Sequence, residues 1–184
     1  FNDSSMLGVT YIPGAADTAA GTVNIILTTT GNGLCLPVSD TMTLVITPAP
    51  NANAGPDQVK CSNNAAVTLA GSVINASGGV WTKSGTGAFA DSSVLTTVYT
   101  PSAADTAAGT VTLTLTTTGN GQCKPVSDFM VVIITDAPTA NAGGDVTVCA
   151  DTSGIVLSGS VIAATGGAWT SNGTGTFSPN NITL

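Results

Sequence analysis

The chain has no histidine, no arginine and no glutamate; its ten acidic residues are all aspartate, and its only cations are Lys60, Lys83 and Lys124. Proton transfer near neutral pH ordinarily needs a histidine or a tuned Glu, Lys or Cys in a charged cleft, so an enzyme is not expected. A formal net charge of -7 with three scattered lysines offers no basic patch to displace phosphate counterions, so no nucleic-acid partner is expected either. No apolar run approaches the roughly 20 residues of a membrane span, and no basic stretch of signal-peptide type opens the sequence. Charged residues are only 7% of the chain and apolar ones 42%, which disfavours intrinsic disorder and is ample for a core. What is abundant is threonine, glycine and short aliphatic runs, the composition of a soluble, weakly charged β protein.

Self-similarity organises the chain. YIPGAADTAAGTVNIILTTTGNGLCLPVSD from Tyr11 returns as YTPSAADTAAGTVTLTLTTTGNGQCKPVSD from Tyr99, an offset of 88 residues. NANAGPDQVKC from Asn51 returns as TANAGGDVTVC from Thr139, and Cys61, Trp81 and Phe89 reappear as Cys149, Trp169 and Phe177 at the same offset. Residues 1–50 match the second part of a unit, and about two-thirds of their positions are identical to 89–138. Residues 51–138 form a complete unit bounded by the linkers TPAP and TDAP, and 139–184 match only a first part. The expectation is a window onto a longer tandem array. The alternative is that the two half-units complement one another, within a chain or between chains, as in strand donation.

Within the complete unit, Val67, Leu69 and Val73 alternate with Thr68, Ala70 and Ser72, and Val111, Leu113 and Leu115 alternate with threonines. That period of two predicts strands with one buried face. Between Tyr99 and the next strand, PSAADTAAG carries Pro101, a Ser102 cap with Asp105 three residues on, and a closing Gly109, which predicts one or two turns of helix. The remainder reads as short strands joined by turns such as ASGG, SGTG and TGNG. About seven strands with one helical crossover fit an all-β fold of tandem immunoglobulin-like sandwiches.

The start ANAGPDQVKCSNNAAVTLAGSV, the tryptophan in GGVWT, the crossover YTPSAADTAAGTVTLTLTTTGNG and the closing strand SDFMVVIIT resemble PKD-like or Ig-like repeats. Such repeats occur in very large secreted surface proteins of the Bacteroidota, including gliding-motility adhesins exported by the type 9 secretion system. The resemblance covers the whole chain. It implies an extracellular, cell-surface location and a role as stalk or adhesin, with anchoring and adhesive domains elsewhere. Two cysteines per unit depart from the usual PKD pattern, so their pairing does not follow from the family.

In an exported protein, Cys35, Cys61, Cys123 and Cys149 are disulfide candidates. Cys61 ends the first strand of its unit, some 26 Å of extended chain from where the unit begins, whereas Cys123 falls in the loop between the last two strands, expected at the beginning of the unit. Pairing between neighbouring units is therefore preferred, with a bridge from Cys61 to Cys123 inside one unit as the alternative. Zinc is disfavoured by the absence of C-x-x-C spacing and histidines.

Other candidates have a simpler structural reading beside the functional one. Asp57, Asp145 and Asp136 sit where Ca²⁺ binds between some domains, but no dense ligand run accompanies them, so solvated turn residues are preferred and no cofactor is expected. Trp81 and Trp169 are expected as core residues rather than sugar platforms, and Tyr11 and Tyr99 as core rings with a bonded hydroxyl. Thr28, Thr29, Thr30 and their counterparts Thr116, Thr117 and Thr118 lie on single strands, too little for a flat ice-binding ladder. Asp-Thr-Ala at Asp17 and Asp105, with the similar Asp40-Thr41-Met42, resembles the O-glycosylation acceptor pattern of Bacteroidota, which makes Thr18, Thr106 and Thr41 candidate sites. The expected role is mechanical, as a stalk or filament segment whose partners are neighbouring units and, in a filament, other copies. The competing expectation is a unit that binds a glycan or protein itself, suggested by Phe129, Val131 and Ile133 where residues 41, 43 and 45 are Thr, Thr and Val.

Overall fold

The structure, a computed structural model, describes residues 6–178 and 182–183. A short helix α1 (Ala15–Ala20) and a hairpin of β1 (Thr22–Thr28) and β2 (Ser39–Val45) come first. The central stretch comprises β3 (Asn51–Asn53), β4 (Gln58–Cys61), β5 (Val67–Ala70), β6 (Ser72–Ile74), β7 (Gly78–Lys83), β8 (Ala88–Phe89), β9 (Thr96–Thr100), helix α2 (Ala103–Ala108), β10 (Thr110–Thr118) and β11 (Ser127–Thr135). Then follow β12 (Thr139–Asn141), β13 (Ser160–Ile162), β14 (Gly167–Ala168) and β15 (Ile182–Thr183).

In the central stretch a four-stranded sheet of order β4-β11-β10-β7 faces a three-stranded sheet of order β5-β9-β8, with β3 and β6 paired beside them. Alternation decides which side chains lie between the sheets. Val111, Leu113 and Leu115 of β10 and Met130, Val132 and Ile134 of β11 pack with Val67, Leu69, Trp81 and Tyr99 in one core. Full burial of each such aliphatic contributes about 1.5–3 kcal/mol. The core is self-contained, since every residue in it lies between Ala54 and Ile134.

Nine strands replace the seven expected because two strands are broken. The first is interrupted between β3 and β4, where Gly55 adopts φ +86° and precedes Pro56, so that β3 pairs with β6 while β4 runs parallel to β11. The second breaks at Gly71, where a Cβ would come within 2.8 Å of both Leu115 and Trp81 side-chain carbons. The helix forms as its sequence dictates: Ser102 Oγ accepts the Asp105 N–H, Asp105 Oδ2 accepts the Ser102 N–H, and Gly109 closes it in the left-handed region.

Two flanking pairings, β1 with β2 and β12 with β13, recur at an offset of 88. Thr22 lies opposite Val45 as Thr110 lies opposite Ile133, and Thr139 lies opposite Ile162 as Asn51 lies opposite Ile74. Their environments differ sharply. Leu115 and Met130 are buried, whereas their counterparts Leu27 and Met42 are each 60% exposed. A concavity of about 590 Å³ is lined by residues that include Leu157, Gly159, Val161 and Trp169, counterparts of Leu69, Gly71, Val73 and Trp81. In the central unit the counterparts Gly71 and Trp81 lie against Leu115 of β10. Trp169 and Tyr11, expected as core residues, are half-buried, whereas Trp81 and Tyr99 are fully buried.

Candidate functional site

The most concentrated polar arrangement is built around the carboxylate of Asp105, which is 3% exposed. Helix α2 places Asp105 in its first turn, facing β9 on one side and the loop between β7 and β8 on the other. Tyr99 donates its hydroxyl to Asp105 Oδ2 at 2.7 Å, the Gly87 and Ser102 N–H groups donate to the same oxygen, and the Thr86 N–H donates to Oδ1 at 2.8 Å. Burial pushes the Asp105 carboxyl up, but these donors outweigh it and hold it well below the ordinary carboxylate range. Burial and the neighbouring carboxylate push the Tyr99 phenol up to about 12. Lys83 reaches the same loop, donating from Nζ to the Gly87 carbonyl and lying 5.6 Å from the Phe89 ring centroid.

Such a carboxylate, ionised and saturated with donors, is an anchor. It fixes the crossover helix and the loop to β9, and with its proton affinity this low it is a poor general base near pH 7. Sequence reasoning missed the loop's share of the site. Gly85 and Gly87 are required because a Cβ on Gly85 would lie 2.2 Å from Asp105 Oδ1 and one on Gly87 2.4 Å from the Thr100 carbonyl oxygen. The available signal was the return of Gly85-Thr86-Gly87 as Gly173-Thr174-Gly175. In the first stretch the same pair recurs: Tyr11 donates to Asp17 Oδ2 at 2.6 Å and the Gly14 N–H to the same oxygen at 2.8 Å.

The cysteines are free thiols in the structure. Cys61, at the end of β4, lies opposite Thr135 at the end of β11, whereas Cys123 precedes the beginning of β11 at Ser127. Eight residues of strand separate those two levels, roughly 26 Å, so the unit carries its two thiols at opposite ends. Cys35 and Cys149 are exposed.

The remaining candidates are dispersed. Asp57 Oδ1 accepts the Val131 N–H at 2.8 Å and Asp128 Oδ2 accepts the Ala54 N–H, so both tie the first strand to β11. Among the described residues no three Cys or Asp side chains gather as a metal site, and Asp57, Asp136 and Asp145 form no cluster. Thr117 faces inward, buried, and accepts the Val126 N–H, which breaks the row of threonines along β10. Thr18 is exposed and Thr106 half-buried, each donating its hydroxyl to the carbonyl four residues back; Thr41 is exposed on β2. On the outer face of β11, Phe129 is 61% and Ile133 43% exposed. Among the described residues no helix is long and apolar enough to cross a membrane. No family model and no curated protein matches the chain.

Proposed function

We propose that this chain is a structural segment of a repetitive stalk or filament in a large bacterial cell-surface adhesin, built from tandem Ig-like or PKD-like sandwiches. The units would be divided as 1–50, 51–138 and 139–184, with an extracellular location and a role without catalysis. The observation that carries the reading is the recurrence of sequence and strand register at one 88-residue offset around a unit whose core needs nothing from its neighbours. Additive units of this kind make quasi-linear arrays. Contacts across the linker support a defined junction: Asn75 Nδ2 donates to the Ala49 carbonyl at 3.0 Å, and Pro50 is buried. The resemblance to Bacteroidota repeats favours an adhesin of the gliding-motility type, and with it glycans on Thr18, Thr106 and Thr41, for which intact-mass measurement of the native protein is the check.

Small-angle scattering of chains with one, two and four copies of residues 51–138 tests the array reading. Each unit is expected to lengthen the particle by roughly 30–40 Å, from nine residues of β11 at about 3.3 Å each plus the linker. A maximum dimension that stays nearly constant with copy number overturns it. A second reading, direct binding of a glycan or protein, rests on exposed Phe129 and Ile133 beside half-buried Val131. Phe129→Thr, which installs the residue found at position 41, would then abolish cell or glycan adhesion by the isolated unit. Unchanged adhesion leaves the stalk reading alone.

A further inference from the structure

Cys61 and Cys123 contact the linkers at the two ends of the unit. Cys61 Sγ lies 3.7 Å from the carbonyl oxygen of Asp136, in the linker that leaves the unit. Cys123 Sγ lies 3.7 Å from the carbonyl oxygen of Pro48 and 3.4 Å from Thr47 Oγ1, in the linker that enters it. Thr47-Pro48 and Thr135-Asp136 occupy the same position in the repeat, 88 residues apart. One repeat position is thus contacted by the first-strand cysteine of the unit before it at one linker and by the last-loop cysteine of the unit after it at the other.

From this we infer that the cysteines form a covalent staple between successive units, joining the Cys61-type thiol of one unit to the Cys123-type thiol of the next across the shared linker. The inference rests on the array reading proposed above. With successive junctions alike, the two sulfurs at one linker lie 3.7 Å from the same carbonyl oxygen and so at most twice that distance apart, a gap that rotation of both side chains can narrow towards bonding range. Within one unit, the length of β11 stands between the same two residues. The pattern is also self-consistent along the chain. Cys123 takes its partner from the unit before residue 51, one period upstream of Cys61, and Cys61 takes its partner one period downstream of Cys123. On this pattern none of the four thiols in this segment pairs with another of the four.

Formation of the staple removes a proton from each thiol and joins the two sulfurs. The two electrons pass to an oxidant of the disulfide class, either a thiol-disulfide oxidoreductase or a small-molecule disulfide, which is reduced to two thiols. The product would close the linker at every junction, so that tension along the array crosses a covalent bridge as well as the Pro-containing linker.

The test uses the full chain extended at its N terminus by a copy of residues 51–88, which completes the first unit and supplies the missing partner of Cys123. After incubation with oxidised glutathione, non-reducing peptide mapping is expected to find the added copy of Cys61 bonded to Cys123. These two should be the only cysteines joined to one another, with Cys35, the original Cys61 and Cys149 left as thiols or as mixed disulfides with glutathione. A second molecule, two tandem copies of residues 51–138, is expected to join Cys61 of its first copy to Cys123 of its second; this unit has its own closed core and does not depend on the extension folding. A bridge between Cys61 and Cys123 of one unit, or free thiols at both positions in folded tandem units, overturns the staple. Scattering on the same molecules separates the two ideas: an extended particle with free thiols leaves the array standing without the staple, whereas a collapsed particle removes the array itself.

Discussion

Tyr99 donates its hydroxyl to Asp105 at 2.7 Å with both residues buried, and the same six-residue step joins Tyr11 to Asp17, both half-buried, at 2.6 Å. One sequence motif therefore makes the same bond in two environments. Tyr99→Phe removes a hydrogen bond to a charged, desolvated acceptor and is expected to cost about 1.5–3 kcal/mol in urea unfolding. Tyr11→Phe removes a solvent-accessible one and should cost well under half as much.

The pH dependence of stability follows from the same pair. Asp105 in the folded chain titrates below its unfolded value of about 3.9, so the unfolded chain takes up a proton first as pH falls, and the stability present above pH 4 is lost progressively below it. At the other extreme Tyr99 is raised to about 12 from an unfolded value near 10. The unfolded chain then releases its proton first, and the stabilisation present below pH 10 fades between about 10 and 12. Urea midpoints across both ranges check this. Asp105→Asn should flatten the acid limb and lower stability at pH 7 by about 2–4 kcal/mol, because an amide presents donors to a ring of donors.

Glycine positions give a sharper structural check. Gly87→Ala places a methyl 2.4 Å from the Thr100 carbonyl oxygen and 2.5 Å from the Tyr99 hydroxyl, so a loss of about 2–4 kcal/mol is expected by thermal or urea unfolding. Gly144→Ala meets nothing within 4 Å and should change stability by less than about 0.5 kcal/mol. Equal effects at the two positions would contradict the described cradle.

These cases show which features were legible beforehand. The alternation around Leu113 and the Ser102 capping box are local signals, and both appear in the structure as read. The repeat also placed Tyr11 and Trp169, but not their burial, since identical residues bury only where the opposing strands surround them. The cradle of Asp105 escaped notice because Thr86 and Gly87 meet it across nearly twenty residues of chain, a contact no short-range pattern encodes. The strand breaks escaped for a similar reason: Gly71 is forced by Leu115 and Trp81, which come from two other strands.

Leu27 and Met42 offer a final comparison, because β1 and β2 pair in the same register as β10 and β11 yet leave exposed the side chains that Leu115 and Met130 bury. The hairpins share one register, but β10 and β11 are also paired on their outer edges with β7 and β4, so a difference in stability reports side-chain burial together with that added pairing. Amides of β1 and β2 are expected to exchange with solvent much faster than those of β10 and β11. Placing a copy of residues 51–88 before Phe1 supplies the strands that cover Leu115 in the central unit. Burial of Leu27 and Met42 would then add about 1.5–3 kcal/mol each, and exchange in β1 should slow towards that of β10. Hydrogen exchange read by mass spectrometry checks both halves of this prediction, and protection in β1 that is already equal to β10 without the added strands would contradict it.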